Sequence, residues 1–193
     1  MIRLFRPNCP NPAALAARNY KHPDNKAALK DASNDKCMYC ECKISHIDFA
    51  HVEHIKPKAE DKYPELMFVW ENLGYACPKC NNSKSDKYDE DTPYINPYDE
   101  DPEQHLVAYG TYLFSKNGSE RGDLTINDLN LNRPDLLEKR QVKIEELKRT
   151  IDACFRTSSQ ALREAALAEL QKEAEADKEL SLFVKSYMLL NTA

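Results

Sequence analysis

The stretch that decides the fold runs from Cys37 to Lys87: it begins Cys37-Met38-Tyr39-Cys40, contains His51-Val52-Glu53-His54 and reaches Cys77-Pro78-Lys79-Cys80 near its end. Two Cys-x-x-Cys pairs in one short segment are typical of a zinc ion held by four thiolates. Four protein thiolates fill every coordination position of zinc, so such a site is structural. The predicted ligands are Cys37, Cys40, Cys77 and Cys80. The alternative, four unpaired buried cysteines, is weaker because the spacing occurs twice.

Three further cysteines lie outside this pattern. Cys42 is an alternative zinc ligand, whereas Cys9 and Cys154 are interpreted as small apolar residues. An odd total of seven cysteines, four of them in metal-ligand spacing, suits a reducing compartment better than a disulfide framework. We therefore expect a soluble, cytoplasmic protein, since the opening residues do not read as a signal peptide and no run of about 18 apolar residues occurs.

The length of 193 residues suits one domain, or one domain with an appendage. We expect an α+β fold in which residues 1–100 form the zinc-bearing module and residues 101–193 form short strands and then a predominantly helical C-terminal region. Charged residues make up 31% and hydrophobic residues 41%, which excludes wholesale disorder. The formal net charge of −5 disfavours tight binding of nucleic acid by this chain alone, because phosphate binding normally requires net or local positive charge.

Short elements are predicted in the N-terminal half. The pattern predicts a strand at residues 2–5 and helices at residues 13–20, 26–32 and 77–88. Residues 49–55 have the pattern of a strand that Pro57 ends, and pairing with residues 43–47 would form a hairpin.

The C-terminal half is predicted to begin with two strands, at residues 105–109 and 112–116, followed by a turn at Asn117-Gly118. Thr125 is a candidate cap for a short helix through Leu131, and Asn132 is a candidate N-cap for a long helix from Pro134 to about Phe155. Two more helices are predicted at residues 158–176 and 178–190.

Glu53 and His54 are the first candidates for chemistry. A histidine of ordinary pKa, about 6.5, can take a proton from water near neutral pH, and a glutamate is an oxygen ligand suited to Mg²⁺. Neighbours on a strand point to opposite faces, so both reach one substrate only where the strand ends or bends. Pro57 supports such an end. Alone, the pair is a weak signal, and a solvated surface pair is the alternative.

Asn81 and Lys84 strengthen the case. Asn81 directly follows Cys80, so the zinc that fixes the start of the helix would also fix the Asn81 carboxamide. Lys84 lies three residues later on the same helix face, where its ammonium could meet a phosphate. The alternatives are a locally hydrogen-bonded asparagine and an exposed lysine.

These residues together resemble the HNH endonuclease motif, also called the ββα-metal or His-Me finger. The resemblance rests on Glu53-His54, Asn72 and the run Asn81-Asn82-Ser83-Lys84-Ser85-Asp86. It implies that His54 is the general base, that Glu53 and Asn81 hold a catalytic Mg²⁺ or Mn²⁺, and that Asn72 orients the His54 ring. Ser85 stands where some relatives place another histidine, which leaves open whether a third protein ligand exists.

A second resemblance covers more of the chain. It rests on the opening of the chain up to Cys37-Met38-Tyr39-Cys40-Glu41, on residues 95–106 and on residues 124–133. These stretches are similar to the HNH subunit of Septu-type and retron-associated anti-phage defence systems. That resemblance implies an effector subunit acting beside an ABC-type ATPase subunit. The long helix from Pro134 and the helices after it are candidates for docking such a partner, and the alternative is that they pack only on their own module.

Two functions follow from these patterns. The first is a Mg²⁺-dependent endonuclease that hydrolyses DNA phosphodiester bonds, and the alternative is a catalytically inactive, zinc-stabilised module that binds nucleic acid or protein. The lysines near the site are Lys56, Lys58, Lys62, Lys79, Lys84 and Lys87. Acidic neighbours dilute them: Glu60, Asp61, Glu65 and Asp89-Glu90-Asp91. We therefore expect the chain alone to bind DNA weakly.

Overall fold

The computed structural model describes residues 1–44 and 49–191 and has an α+β fold, as expected. The helices are α1 (Pro12–Ala16), α2 (Pro23–Ala32), α3 (Pro78–Lys84), α4 (Glu120–Asp128), α5 (Pro134–Arg156), α6 (Gln160–Lys172) and α7 (Ser181–Asn191). The strands are β1 (His51–His54), β2 (Leu73–Ala76), β3 (Leu106–Tyr109) and β4 (Tyr112–Ser115). Short 3-10 turns lie at Pro64–Leu66, Trp70–Asn72 and Pro102–Gln104.

A ββα unit forms around the two Cys-x-x-Cys pairs. β1 and β2 are antiparallel, with His51 opposite Ala76 and His54 opposite Leu73. α3 follows β2 directly because Pro78 suits the first helical position and the Cys77 sulfur accepts a bond from the Cys80 amide. α3 then runs back along β1, so that Asn81 lies beside His51 and Lys84, at the end of the helix, lies beside His54.

The predicted hairpin of residues 43–47 with residues 49–55 is wrong in its pairing. β1 pairs with β2 instead, and Lys43 forms an isolated bridge with Lys36. Residues 45–48 of that prediction lie outside the described residues. All four residues of β2 are buried, so β2 lies inside the core. A strand that pairs with β2 is therefore itself partly covered by the core, which favours the pairing of β1 with β2.

The N-terminal predictions are partly corrected. The residues from Ile2 to Phe5 do not form a strand; Leu4 is buried and its amide donates to the Pro97 carbonyl, whereas Phe5 is exposed. α1 ends at Ala16 rather than Tyr20, and Arg18 then adopts a positive φ that no helix continues through.

The hairpin of β3 and β4 is confirmed, with Leu106 opposite Ser115. Inward residues Leu106, Ala108 and Leu113 are buried, while Tyr109 on the other face is exposed. This alternation is the ordinary pattern of a sheet with one covered face.

Two predicted helix caps are wrong. Ser119 caps α4 through its hydroxyl, whereas Thr125 is buried inside that helix and accepts a bond from the Ile95 amide. The residue before α5 is Arg133, and the Asn132 side chain instead bonds both the amide and the carbonyl of Leu113. Both side chains therefore join the helices to other segments, which local patterns do not reveal.

The main apolar core draws residues from the zinc module and from the C-terminal half. It includes Leu29, Leu73, Ile95, Leu113, Leu131 and Phe183. A second, smaller cluster joins α5, α6 and α7 and includes Leu147, Ile151, Cys154, Leu170, Val184 and Met188. Among the helices that the structure describes, none has both the length and the apolar character needed to cross a bilayer.

Candidate active site

The four predicted zinc ligands converge. The sulfurs of Cys37, Cys40, Cys77 and Cys80 all lie within 4.8 Å of one another. A tetrahedral site with zinc–sulfur bonds of about 2.3 Å separates its sulfurs by about 3.8 Å. The Cys40 and Cys77 sulfurs are 3.9 Å apart, so the cluster has the ligand set and spacing of a structural zinc site. Cys42 lies outside it, and its sulfur approaches the Cys40 carbonyl.

A buried arginine faces this cluster. The Arg133 guanidinium lies 3.5 Å from the Cys80 sulfur. Burial alone would lower the pKa of Arg133, but the negative sulfurs of Cys80 and Cys40 outweigh burial and raise the pKa above its usual range. A cation held this firmly offsets part of the negative charge that four thiolates bring to a zinc ion.

A cleft of about 800 Å³ opens beside β1 and α3. One wall consists of residues of the ββα unit: His51, Glu53, His54, Asn81, Asn82, Ser85 and Asp86. Residues from the N-terminal segment and from the loop after β1 form the other: Tyr20, Lys21, Lys26, Pro57, Lys58 and Ala59. The cleft therefore holds most of the predicted catalytic residues between a mixed wall and a basic wall.

Glu53 and Asn81 meet in this cleft, as predicted. Glu53 is buried, and its Oε1 lies 3.0 Å from the Lys84 ammonium and 3.2 Å from the Tyr39 hydroxyl. Its Oε2 accepts a hydrogen bond from the Asn81 carboxamide. Burial raises the pKa of Glu53 even though Lys84 acts in the opposite direction. A further cation at Oε2 would stabilise the ionised carboxylate.

Lys84 lies beneath the site and does not line the cleft. It is buried, its ammonium pairs with Glu53, and it donates to the His54 carbonyl at 2.8 Å. The structure therefore does not place the Lys84 ammonium where it could meet a phosphate, as the sequence had suggested. The reason is that α3 turns the Lys84 face towards β1, so the side chain joins helix and strand.

The His54 ring is held in one orientation. Its Nε2 lies 3.0 Å from the Met67 carbonyl, and the Tyr20 ring packs edge-on with centroids 4.7 Å apart. Burial lowers the pKa of His54 to about 4, with the nearby lysines acting in the same direction. The ring is therefore neutral near pH 7. Because the Met67 carbonyl only accepts, Nε2 carries the proton and Nδ1 keeps its lone pair.

Asn72 does not hydrogen-bond to the His54 ring. Its carboxamide instead binds backbone groups of the loop between β1 and β2, which surrounds the ring. Its Oδ1 accepts from the Lys56 amide at 2.7 Å, and its Nδ2 donates to the carbonyls of Lys56 and Leu66. Leu66 precedes the residue that holds His54 Nε2. Asn72 is thus placed to orient the ring through the loop.

Four polar cleft residues were not identified as functional from the sequence: Tyr20, Lys21, Lys26 and His51. For His51 a signal existed, because it lies two residues before Glu53 and alternate residues of a strand share a face. Its Nδ1 lies 2.9 Å from Asn81 Oδ1. The other three come from the N-terminal segment, which reaches the cleft only through tertiary packing.

Several of the lysines expected to attract DNA are paired with acids. Lys56 lies 3.3 Å from Glu90, and Lys87 lies 3.6 Å from Asp128. Lys79 similarly lies 3.1 Å from a carboxylate of α5. Of the six lysines named from the sequence, Lys58 lines the cleft.

Comparison with known proteins agrees with this geometry. Residues 37–87 match the family model described as HNH endonuclease. The chain is 35% identical to the Septu protein PtuB of Bacillus thuringiensis over 150 residues, covering 71% of this chain and 57% of that protein. It is 31% identical to the Septu protein PtuB of Bacillus mycoides (strain KBAB4) over 189 residues, covering 81% of this chain and 64% of that protein.

A third relative comes from Vibrio cholerae serotype O1 biovar El Tor and is named as a candidate HNH endonuclease of retron Vc95. It is 30% identical over 129 residues, covering 62% of each chain. The chain thus spans between 57% and 64% of the length of these relatives. These matches confirm both resemblances noted in the sequence, and residues 37–87, which contain the ββα unit, belong to the HNH endonuclease family.

Proposed function

We propose that the protein is a divalent-metal-dependent endonuclease that hydrolyses DNA phosphodiester bonds. The observation that carries this proposal is the convergence of a neutral His54 with Glu53 and Asn81 in one cleft. The zinc cluster supports that convergence because Cys80 immediately precedes Asn81 on α3. A general base beside a pair of oxygen ligands is the arrangement that metal-assisted hydrolysis needs.

Glu53 Oε2 and the Asn81 carboxamide oxygen would hold the catalytic ion, Mg²⁺ or Mn²⁺. Both side chains line the cleft. Oε1 of Glu53 is engaged by Lys84 and Tyr39, whereas Oε2 accepts from the other proposed ligand, Asn81, so Oε2 is the ligand atom and the ion would replace that hydrogen bond. When bound, the ion supplies Lewis-acid stabilisation of the charge that develops on the phosphate and on the leaving oxygen.

His54 would act as the general base through Nδ1. The Met67 carbonyl fixes the proton on Nε2, so Nδ1 accepts a proton from the attacking water. Tyr20 packs against the ring and Asn72 holds the surrounding loop, and both restrict the ring to one orientation. Lys84 acts as a positioning residue, because it binds Glu53 and the His54 backbone at once.

The names of the relatives motivate a biological context. We propose an effector role in bacterial anti-phage defence, with an ABC-type ATPase subunit as protein partner and the cytoplasm as location. The four-cysteine cluster suits a reducing compartment, and the net charge of −5 suits a chain that depends on a partner to hold DNA. α5 and the helices after it are the candidates for docking the partner, and they expose apolar side chains at Val142, Phe155 and Leu162.

The alternative is a zinc-stabilised binding module without catalysis. A binding module does not need His54 in any particular protonation state. It therefore does not explain why the ring lies in the cleft and why burial keeps it neutral there. The two functions differ in one outcome. Only the endonuclease requires that replacing His54 abolishes cleavage while the folded protein still binds zinc.

The test is plasmid nicking by the zinc-loaded chain, alone and with the protein encoded beside it, with Mg²⁺, with Mn²⁺ and without either ion. We expect nicking that requires Mg²⁺ or Mn²⁺ and that His54→Ala reduces by about 10²-fold or more, the usual contribution of a general base. His22→Ala is the matched control, since His22 lies outside the cleft. Undiminished cutting by a contaminant-free His54→Ala preparation would refute the proposal.

A further inference from the structure

His51 is a metal-ligating side chain that the proposed mechanism does not use. It begins β1, it is exposed, and it lines the same cleft as Glu53 and Asn81. Because His51 and Glu53 are alternate residues of one strand, their side chains leave the strand on the same face. α3 then brings Asn81 between them.

The three side chains form a continuous arc. Asn81 uses one atom of its carboxamide towards Glu53 Oε2 and the other towards His51 Nδ1, and the latter distance is 2.9 Å. A six-coordinate ion with ligand bonds of about 2.1 Å separates adjacent ligand atoms by about 3 Å. The His51–Asn81 spacing therefore already equals one edge of such a coordination shell.

The chemistry of the imidazole also suits this role. In the present contact the Asn81 oxygen accepts, so His51 Nδ1 carries the proton. The other neutral tautomer carries the proton on Nε2, which leaves the Nδ1 lone pair free to bind an ion. Histidine is the commonest protein ligand for first-row transition metals. The exposed position of His51 lets the ring reach an ion without moving the buried Glu53.

We propose that His51 Nδ1 is a third protein ligand of the catalytic divalent ion, beside Glu53 and Asn81. The proposal rests on the metal-dependent function proposed above and extends it to metal preference. A nitrogen ligand adds affinity for first-row transition metals, whereas Mg²⁺ gains little from it because it prefers oxygen. The site should therefore favour Mn²⁺ over Mg²⁺.

The competing role for His51 is purely structural. In that case its ring would only hold the Asn81 carboxamide in place, and losing it would weaken every divalent ion alike. Two measurements separate these roles: the preference for Mn²⁺ over Mg²⁺, and coordination of the ion by an imidazole nitrogen. Replacing a residue that only positions Asn81 would alter neither.

The experiment measures metal binding by the full, zinc-loaded chain without substrate. Free Mn²⁺ is titrated by electron paramagnetic resonance, Mg²⁺ affinity is obtained by competition, and spin-echo modulation detects nitrogen bound to Mn²⁺. We expect imidazole nitrogen coupling in the native chain and its loss in His51→Ala. That variant should bind Mn²⁺ more weakly by about tenfold or more, at least the loss typical of an outer-shell partner. Its Mg²⁺ affinity should change by less than about threefold, since Mg²⁺ gains little from nitrogen.

Control variants separate the possible failures. Asn82→Ala, at a neighbouring position in the cleft, should leave Mn²⁺ binding unchanged, whereas Glu53→Ala or, if that variant unfolds, Asn81→Ala should abolish it. Suppose that the native chain binds Mn²⁺ and that replacing Glu53 or Asn81 abolishes this binding. If the native chain then shows no nitrogen coupling, or if His51→Ala lowers the Mn²⁺ and Mg²⁺ affinities equally, only the role of His51 is refuted. If the native chain binds neither ion, the metal-dependent function fails as well.

Discussion

At the scale of single residues, the buried pair of Glu53 and Lys84 explains how strand and helix are locked beneath the cleft. Each side chain is almost fully buried, and their charged atoms are 3.0 Å apart. The sequence placed Glu53 and Asn81 near one another correctly, because the Cys-x-x-Cys spacing determines where α3 begins. It could not predict that Lys84 points inward, since helical periodicity relates Lys84 to Asn81 but not to β1.

Replacing Lys84 should therefore destabilise the fold more than a surface lysine would. We expect Lys84→Met to lower the free energy of unfolding by about 3–5 kcal/mol, because it leaves the Glu53 carboxylate buried and uncompensated. The double variant Lys84→Met/Glu53→Gln should recover part of this loss, since both charges are then absent. Urea unfolding of the zinc-loaded proteins measures both effects.

The matched control for Lys84 is on the same helix. Lys79→Met removes an exposed lysine whose ion pair with Asp135 lies at the surface. Such a pair contributes less than about 1 kcal/mol, so this variant should unfold nearly like the native chain. Similar losses in Lys84→Met and Lys79→Met would contradict the buried role.

At the scale of elements, local pattern predicted which elements exist better than it predicted their partners. The predicted helices exist, but their ends differ from the prediction by up to about six residues, most at the start of α4, whereas the β3–β4 hairpin has its predicted bounds to within one residue. Neither β2 nor its pairing with β1 was predicted, because β2 has four residues and a loop of 18 residues, from 55 to 72, separates the two strands. Nothing in the pattern of residues 49–55 distinguishes such a partner from an adjacent segment.

The contact of α4 with the β3–β4 hairpin depends on Gly122. A Cβ at this position would lie 2.5 Å from the His105 carbonyl oxygen and 3.1 Å from the Ser115 Cβ. Alanine is the better helix former by about 1 kcal/mol, so helix propensity alone favours Gly122→Ala. We expect net destabilisation of up to about 2 kcal/mol instead, because the clash involves backbone and costs about 1–3 kcal/mol.

Thermal or urea unfolding of Gly122→Ala tests this sign. Asn127→Ala is the control, since Asn127 is exposed on the same helix and gains propensity without a clash. It should be neutral or slightly stabilising. A stabilised Gly122→Ala variant would show that α4 can move away from the hairpin at little cost.

Glu100 connects the loop before β3 to α4. Its carboxylate accepts two bonds from the Arg121 guanidinium and lies 3.2 Å from His105 Nε2. Burial tends to raise the pKa of Glu100, but the bonds from Arg121 outweigh burial and hold the pKa below its ordinary value. The stability from this carboxylate is therefore present above its unfolded pKa of about 4.3 and is lost as the pH falls through the lower folded pKa.

Glu100→Gln should consequently be less stable than the native chain at pH 7 by about 1–3 kcal/mol, the range for a bond between charged groups. The difference should shrink towards zero as the pH falls below about 4, where the native carboxylate becomes protonated. Unfolding free energies across this range measure the effect. Glu138→Gln, at an exposed position of α5, should show no such pH dependence. A constant Glu100→Gln penalty down to pH 3 would contradict the assignment.

At the scale of the whole molecule, the charge pattern limits how tightly the chain alone can hold DNA. The net charge is −5, and Lys56, Lys79 and Lys87 are paired with acids. The basic wall of the cleft consists of Lys21, Lys26 and Lys58. The sequence predicted weak binding, but not this wall, because Lys21 and Lys26 are far from the motif in the chain.

If each lysine of the basic wall contacts one phosphate, the affinity for DNA should depend only weakly on salt concentration. We expect a plot of the logarithm of the duplex-binding constant against that of salt concentration to have a slope of about −3, from about −0.9 per contact. Lys26→Ala should make this slope shallower by about one, whereas Lys79→Ala should leave it unchanged. Fluorescence anisotropy with short duplexes measures the slope. Tight binding with a slope steeper than about −6 would require a basic surface beyond this cleft.

The four-cysteine cluster lies where the zinc module meets the C-terminal helices. Glu41, next to Cys40, accepts a bond from the Ser181 hydroxyl at the start of α7. Arg133, directly before α5, approaches the Cys80 sulfur. Cysteine spacing predicts the zinc ligands, but these two contacts join residues 140 and 53 positions apart, respectively, and no sequence pattern indicates them. A zinc ion held by this cluster would therefore stabilise the helical region as well as the ββα unit.

Removing the zinc should consequently unfold the main core rather than only the motif. Structural zinc contributes about 10–16 kcal/mol in small modules, which exceeds the roughly 5–15 kcal/mol of net stability of a typical domain. We expect Cys77→Ser or strong chelation to abolish the native fluorescence of buried Trp70 and most helical circular dichroism, with one zinc released per chain. Cys42→Ser is the matched control, because Cys42 lies beside the cluster but outside it, and it should retain zinc and both signals. Helical dichroism that survived complete zinc loss would show that α5 to α7 are stable without the cluster.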